Sequence, residues 1–306
     1  METVNKTRET TTAELLAASR SRLNTMIESG TSTLEIKSGY GLQLYDELKI
    51  LRTIHELKKT NPVRIAATFL GAHAIPPYLS QDEYSRVVIE EMIPAVAQQG
   101  LAESCDVFCE HGAFDATSSK KILAAGIRHG LKAKIHADQF RDGGGARIAN
   151  DIGAISADHL VYSNIPELER MATTSVTPVV LPASSHSLLG NAYAPAREML
   201  DAGLSLALGS DFSPSNWVMG MLTVAALAAR QLRMKSEEII RGITINAARA
   251  LHMDRQIGSL SRGKNADLVL LKAPSYKRIG YAYGEGMVDK VLIAGKVRVS
   301  EGKRVN

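Results

Sequence analysis

Two histidines and an aspartate occupy comparable places in the chain. His136 closes an apolar run in KIHADQF, His159 closes SADHL, and Asp211 closes ALGSDFSPSN. One histidine alone is ordinarily a structural residue, but three such groups at the same end of successive runs point to a shared site. Two imidazoles and a carboxylate suit zinc or ferrous iron, with a position left open for water. A metal of that kind lowers the pKa of its bound water towards neutrality, and a nearby carboxylate can take the proton. The chemistry implied is metal-assisted hydrolysis.

Other polar groups end other runs in the same way: Lys37 and Tyr40, His73, and Glu110 with His111. The runs themselves are short and β-branched or apolar: 31–36, 63–70, 104–110, 133–136, 155–160, 176–181 and 204–210. Between them lie amphipathic stretches of helical length at 12–29, 42–59, 80–99, 118–130, 143–152 and 194–203, two of them opened by the capping boxes Thr11-x-x-Glu14 and Ser80-x-x-Glu83. Near-continuous apolar strands alternating with helices predict a parallel sheet buried on both faces. Functional groups spread over the carboxyl ends of many strands favour a (β/α)8 barrel, whereas an open doubly wound sheet gathers them at one switch point. Gly143, Gly144 and Gly145 do not make a phosphate-binding GxGxxG and read as a turn. Seven strands are legible where a closed barrel needs eight, and the chain opens in a helix-like segment with no strand ahead of it. A helix pair (219–234 and 236–251) follows the seventh strand. Then come short alternating runs at 257–260, 266–271 and 288–299, the last ending in a Gly-Lys turn, which form a small β unit.

Composition bounds the partners. The chain has 306 residues, 45% hydrophobic and 22% charged, enough for one large domain or two small ones. No apolar run approaches the roughly 18 residues of a membrane helix. A net charge of +4 and 5% aromatics leave neither a basic stripe nor a stacking platform for nucleic acid. Two cysteines, Cys105 and Cys109, exclude a disulfide scaffold and fit the reducing cytoplasm; four apart on a strand, they share one face and read as buried small hydrophobes. His55, His129 and His252 fall among charged neighbours in helices and read as surface residues, and Lys37 is expected to pair with Glu35 or Glu110.

KSGYGL (37–42), GAHAIP (71–76), DVFCEHGAF (106–114), HADQF (136–140), SADHL (156–160) and YAPARE (193–198) together resemble imidazolonepropionase, and the tail TINAARALHMDRQIGSLSRGKNADLVLL (244–271) resembles the amidohydrolase superfamily at large. The resemblance covers essentially the whole chain. It implies an α/β fold, a TIM-like (β/α)8 barrel at 1–255 with its first strand missing, and part of a small β-sandwich domain at 256–306. The implied reaction is metal-dependent hydrolysis of 4-imidazolone-5-propanoate to N-formimidoyl-L-glutamate, a step of histidine degradation. By motif position His136 is implied as a ligand of one divalent metal, Zn2+ or Fe2+. Asp211 is implied as the ligand that also shuttles the proton, and His159 as the group that hydrogen-bonds the attacking water or the developing oxyanion. Tyr40, His73 and Gln139 fall where the family meets substrate. Many relatives carry Asp-x-Asn-Pro-Gly where this chain has SDFSPSN; Asp211 and Pro214 match, and Ser213, Ser215 and Asn216 stand as the candidate substrate contacts of that loop.

Relatives also carry a His-x-His pair on the first barrel strand, and none occurs in these 306 residues. The opening METVNKTRETTTAELLAAS resembles the family interior just after that strand, so Met1 is expected to be an internal methionine. Two remaining ligands hold a divalent ion poorly, since catalytic zinc normally has three, so weak metal retention and little activity are expected of the chain by itself. The resemblance further implies a small-molecule substrate, no nucleic acid or membrane partner, and a homodimer. A nucleobase deaminase is the alternative enzyme; its ring-protonating acid would stand three residues after His136, where Gln139 has no proton to give at neutral pH. A non-catalytic fragment is the third reading, supported by the absent His pair.

Overall fold

A computed structural model describes residues 1–189, 192–283 and 286–305. The chain divides into two compact units, the first made of Met1–Ser19, Glu35–Asn61 and Ile65–Val176, the second of Arg20–Leu34, Pro62–Arg64 and Thr177–Asn306. The strands expected from the apolar runs all form: β1 (Thr33–Lys37), β2 (Arg64–Ala72), β3 (Ser104–Cys109), β4 (Lys132–Ala137), β5 (Ser156–His159), β6 (Thr177–Val180) and β7 (Ala207–Leu208). They follow one another in chain order through a seven-stranded sheet. The helical stretches expected between them form as well, their ends shifted by at most two residues.

In the first unit the registered pairs are parallel, with Ser104 of β3 opposite Thr68 of β2 and Lys132 of β4, Phe108 opposite His136, and His136 opposite Asp158 of β5. Alternation along β3 sorts its side chains. Cys105, Val107 and Cys109 share one face and Ser104, Asp106 and Phe108 the other. The cysteine face lies under the helix Ala116–Arg128, and both thiols are buried as the sequence predicts. Burial pushes the Cys109 thiol up to about 11, which suits an inert packing group. Gly126 is the point of closest approach, because a Cβ there would stand 2.8 Å from the Cβ of Cys105. Gly126→Ala therefore sets a helix-propensity gain of about 1 kcal/mol against an overpacking cost of about 1–3 kcal/mol. We expect net destabilisation, read as a lower urea midpoint at unchanged slope.

Local chemistry explains the element ends. The Thr11 amide donates to Glu14 Oε2 at 2.9 Å and the Glu14 amide to Thr11 Oγ1 at 3.3 Å, opening the helix Thr12–Glu28. Ser80 and Glu83 make the second capping box. The helix expected at 80–99 forms as Gln81–Gln98 with an internal π turn at Val88–Met92, just ahead of Pro94, whose missing amide cannot continue an ordinary ladder.

The second unit holds the parallel pair β6–β7 and a four-stranded antiparallel sheet in the order β11 (Lys303–Arg304), β10 (Lys296–Ser300), β9 (Val288–Ile293), β8 (Leu268–Leu271). The Gly-Lys turn expected at the end of the 288–299 run forms at Glu301 and Gly302, ahead of Lys303, and a second turn lies inside the run. Ala294 and Gly295 adopt φ of 51° and 76°, the conformation of a two-residue hairpin loop, so the run is two strands. The strand expected at 257–260 does not form: Gly258 takes φ 86° and lies so close to Ile245 and Ala248 that extended pairing is interrupted. The helix expected at 236–251 is two, Ser236–Gly242 and Ile245–Ala250, and Asn246 at the start of the second donates its side-chain amide to the Leu206 carbonyl at 2.9 Å. Among the described residues no helix is long and apolar enough to cross a membrane.

Candidate active site

Strand alternation sends Glu35 and Lys37 of β1, Asp106 and Phe108 of β3, Lys134 and His136 of β4, and Ser156 and Asp158 of β5 to common faces of their strands. In the first unit these residues form one buried polar cluster. Lys37 Nζ lies 2.7 Å from Asp106 Oδ2, 2.5 Å from Asp158 Oδ2 and 3.8 Å from Glu35 Oε2. Lys134 Nζ meets Glu35 Oε2 at 3.1 Å, Thr68 donates a hydroxyl bond to Glu35, and Ser156 donates to Asp158 at 3.0 Å. Lys37 thus pairs with Glu35, as expected, but its main partners are Asp106 and Asp158. Glu110, the other expected partner, instead accepts the backbone amides of His111 and Phe140.

Charge arithmetic fits this arrangement. Three carboxylates face two ammonium groups, and a proton on His136 would bring the cluster to neutrality. Burial opposes charge on His136, yet the neighbouring Asp106 carboxylate raises its pKa overall. Burial alone would lift the Asp106 carboxyl, but His136 and Lys37 hold it well below the usual carboxylate range. Asp158 is lowered in the same way: burial opposes, and Lys37 and Lys134 prevail. His136 Nδ1 lies 3.1 Å from Asp106 Oδ2, but off the axis of a hydrogen bond, so this buried ring nitrogen has no hydrogen-bond partner.

Four of the residues singled out from sequence meet through their rings. Tyr40 stands edge-on to His73 at 4.9 Å between centroids, His73 stacks on Phe108 at 5.9 Å, Phe108 meets His136 at 5.9 Å, and His136 meets His159 at 5.4 Å. Phe108 joins the two halves of this row. No chemistry of its own marks it in the sequence, although its alternation with Asp106 in DVFCE places it on the polar face. His159 reaches His136 because its backbone leaves strand geometry, with φ of 75°. A non-glycine residue in that region is strained, which is a feature of sites where side chains must be aimed. Gln139 is part-buried in the loop that follows β4.

The remaining candidates belong to the second unit. Asp211 has φ of 50° in the loop after β7. Asn216 is buried and holds that loop closed: its amide donates to the carbonyls of Ser210 (2.8 Å) and Asp211 (3.0 Å), and its oxygen accepts from Ser187 Oγ (3.0 Å). Ser213 and Ser215 hydroxyls lie 3.2 Å apart, with Ser215 exposed. His55, His129 and His252 are exposed, as expected.

Asp106, His136 and Asp158 each offer a ligand atom within 4.8 Å of the others, a buried group that could hold a metal ion. The unbonded His136 nitrogen fits such a role. The two carboxylates are engaged by Lys37, so an ion entering between them must displace an ammonium.

Parallel strands in chain order, with imidazoles and carboxylates gathered at their carboxyl ends, are the arrangement of the (β/α)-barrel enzymes. The model of the amidohydrolase family matches residues 2–298. An imidazolonepropionase of Alkaliphilus oremlandii (strain OhILAs) is 41% identical over 99% of this chain and 72% of its own length. One from Shouchella clausii (strain KSM-K16) is 44% identical over 99% and 68%, and one from Geobacillus kaustophilus (strain HTA426) is 43% identical over 98% and 72%. A zinc-bound adenosine deaminase from Xanthomonas campestris shares the fold with a TM-score of 0.74 at 19% identity, over 98% of this chain and 73% of that one. The chain therefore belongs to the amidohydrolase family, and within it to the imidazolonepropionases.

Proposed function

We propose that the chain hydrolyses the cyclic amide of 4-imidazolone-5-propanoate to N-formimidoyl-L-glutamate, a step of histidine degradation in the cytoplasm, as a homodimer. The observation that carries this reading is the row of Tyr40, His73, Phe108, His136 and His159 rings at the carboxyl ends of the strands. In it, His136 is a metal ligand, Asp211 a ligand that also moves the proton, and His159 a hydrogen-bond donor to the oxygen that attacks or develops charge. Tyr40, His73 and Gln139 meet the substrate, with Ser213, Ser215 and Asn216 shaping the loop behind Asp211. We place the hydrolase part at 1–255 and the small sheet domain at 256–306. A divalent ion, zinc or ferrous iron, supplies Lewis acidity and acidified water when bound.

The test is product identity. Protein supplied with zinc or ferrous iron is incubated with the imidazolone, and N-formimidoyl-L-glutamate is followed by mass spectrometry. We expect that product to form, and His136→Ala to reduce its rate by at least about 100-fold. Ammonia released from guanine or cytosine with no formimidoylglutamate would transfer the chain to the deaminases. Gln139, which has no ring-protonating proton to offer, argues against that outcome.

A further inference from the structure

Glu110 stands one residue beyond β3 and is buried, with 4% of its surface exposed. Its backbone is fixed by a tight turn. The Glu110 amide donates to the Phe114 carbonyl at 3.1 Å, the Ala113 amide to the Glu110 carbonyl at 3.0 Å, and the Phe114 amide to the Phe108 carbonyl at 3.2 Å. Gly112 takes φ of 84° inside that turn, which ends on the fully buried Phe114. From this base the side chain divides its two oxygens. Oε1 accepts the amide of His111, next in the chain, and Oε2 accepts that of Phe140 in the loop after β4, each at 2.7 Å. The Phe140 amide belongs to the peptide that joins Gln139 to Phe140, so Glu110 holds the far side of Gln139. The near side is held by Asp138, whose carboxylate takes the amides of Gly143 (3.0 Å), Gly145 (2.9 Å) and Ala146 (3.1 Å). Gln139 therefore lies between two residues tied down by buried carboxylates. The same tie sets the Phe140 ring edge-on to Phe108, 6.5 Å between centroids, at the middle of the ring row. Glu47 shows the device a third time in this unit: buried too, it accepts the amides of Gly39 (3.0 Å), Gly41 (2.7 Å) and Leu42 (3.0 Å).

We propose that Glu110 is a positioning residue for ligand recognition: by tying the peptide between Gln139 and Phe140 to the turn after β3, it fixes where the Gln139 side chain is presented to the ligand. An amide side chain offers both a donor and an acceptor, which suits the N–H and carbonyl edge of a flat heterocycle. This part of the inference rests on the proposed hydrolysis of an imidazolone. A carboxylate fits the task because both of its oxygens accept, whereas glutamine at 110 would turn a donor towards one of the two amides.

The experiment is a double-mutant cycle between Glu110→Ala and Gln139→Ala, read by KM and kcat for 4-imidazolone-5-propanoate and by hydrogen exchange at the Phe140, Gly143 and Gly145 amides. In the wild-type chain the Phe140 amide is protected although the residue is half-exposed. In E110A its exchange is expected to rise about 10-fold, while Gly143 and Gly145, still held by Asp138, stay within about twofold of wild type. KM should rise about 10-fold with kcat within about twofold, the pattern of lost binding without lost chemistry. In the Q139A background E110A should raise KM by less than about twofold, because the side chain it positions is gone. Glu110→Gln keeps one accepting oxygen and should fall between wild type and E110A. A folded E110A with wild-type exchange at Phe140 overturns the proposal, and so do KM effects of the two substitutions that simply multiply. Should E110A not fold, E110Q replaces it in the cycle and the same two results overturn the proposal, as does a wild-type Phe140 amide that exchanges without protection. Failure of the wild-type chain to process or bind the imidazolone would overturn the reaction assigned above, and the amide exchange would still decide whether Glu110 holds the Gln139 peptide.

Discussion

Lys37→Met is expected to lower stability by about 3–5 kcal/mol at neutral pH, the cost of leaving a buried charge without its partner. Asp106 and Asp158 are both buried and both bonded to the one ammonium. Removing it leaves two carboxylates facing each other, with Lys134 and His136 to answer them. Asp106→Asn in the same chain removes one of the stranded charges, so the double variant should be more stable than Lys37→Met alone. Urea denaturation of the two single variants and the double variant reads this coupling directly.

The pH dependence carries a sign that can be worked out. Asp106 and Asp158 are depressed in the folded chain, so their contribution is present above the unfolded carboxylate pKa near about 4 and is lost as pH falls through the folded values. Burial opposes charge on Lys37, but Asp106, Asp158 and Glu35 raise it well above its ordinary value. Its contribution is therefore present below about pH 10 and is lost as pH rises further. In Lys37→Met the stranded acids can escape their penalty by taking up protons. The stability gap between variant and wild type should thus be widest near pH 7 and narrow below about pH 5. A gap independent of pH would mean that Lys37 acts through packing of its stem, not through its charge.

What could be read from the chain, and what could not, divides along physical lines. The strands, the capping boxes at Thr11 and Ser80, and the buried cysteines rest on local signals: apolar runs, side-chain-to-backbone bonds three residues apart, and alternation. Those signals survive without knowledge of what packs against them. The break of the 236–251 helix and the loss of the 257–260 strand depend on Gly242, Gly258 and Asn246 meeting residues remote in sequence. The site divides in the same way. His136, His159, Tyr40 and His73 announce themselves as strand-end residues with chemistry of their own. Asp106 and Asp158 are ordinary acids until the register sets Asp158 beside His136 and the Lys37 ammonium arrives from a strand 69 residues away from Asp106. Parity along DVFCE and SADHL was the one available hint, since it puts each acid on a different face from its cysteine or histidine neighbour. Glu47, Glu110 and Asp138 were harder still, because each accepts backbone amides that no side-chain motif records.

Asp138 shows how large such a hidden role can be. It follows β4 with φ of 53°, and its buried carboxylate takes four donors: Oδ1 from the amides of Gly143 (3.0 Å) and Gly145 (2.9 Å), Oδ2 from the Ala146 amide (3.1 Å) and Ser163 Oγ (2.6 Å). Gly145 and Ala146 begin the helix Gly145–Ile152, whose unsatisfied amides and positive end favour a carboxylate. Asp138→Ala strands these donors, each worth about 1–3 kcal/mol when buried and unmade, and puts alanine in a left-handed conformation that costs it about 1–2 kcal/mol. We expect a total loss of about 3 kcal/mol or more. Asp138→Asn tolerates the same φ and keeps one accepting oxygen, so it should lose less. Because Gln139 is the next residue, the alanine variant should also loosen the loop that carries it, seen as faster exchange at the Gly143 and Gly145 amides under conditions where the rest of β4 stays protected. If alanine and asparagine cost the same, neither the φ preference nor a single accepting oxygen matters, and the loop depends on the full carboxylate. If neither costs more than about 1 kcal/mol, water is filling the place of the four bonds, and the loop owes its shape to the glycines alone.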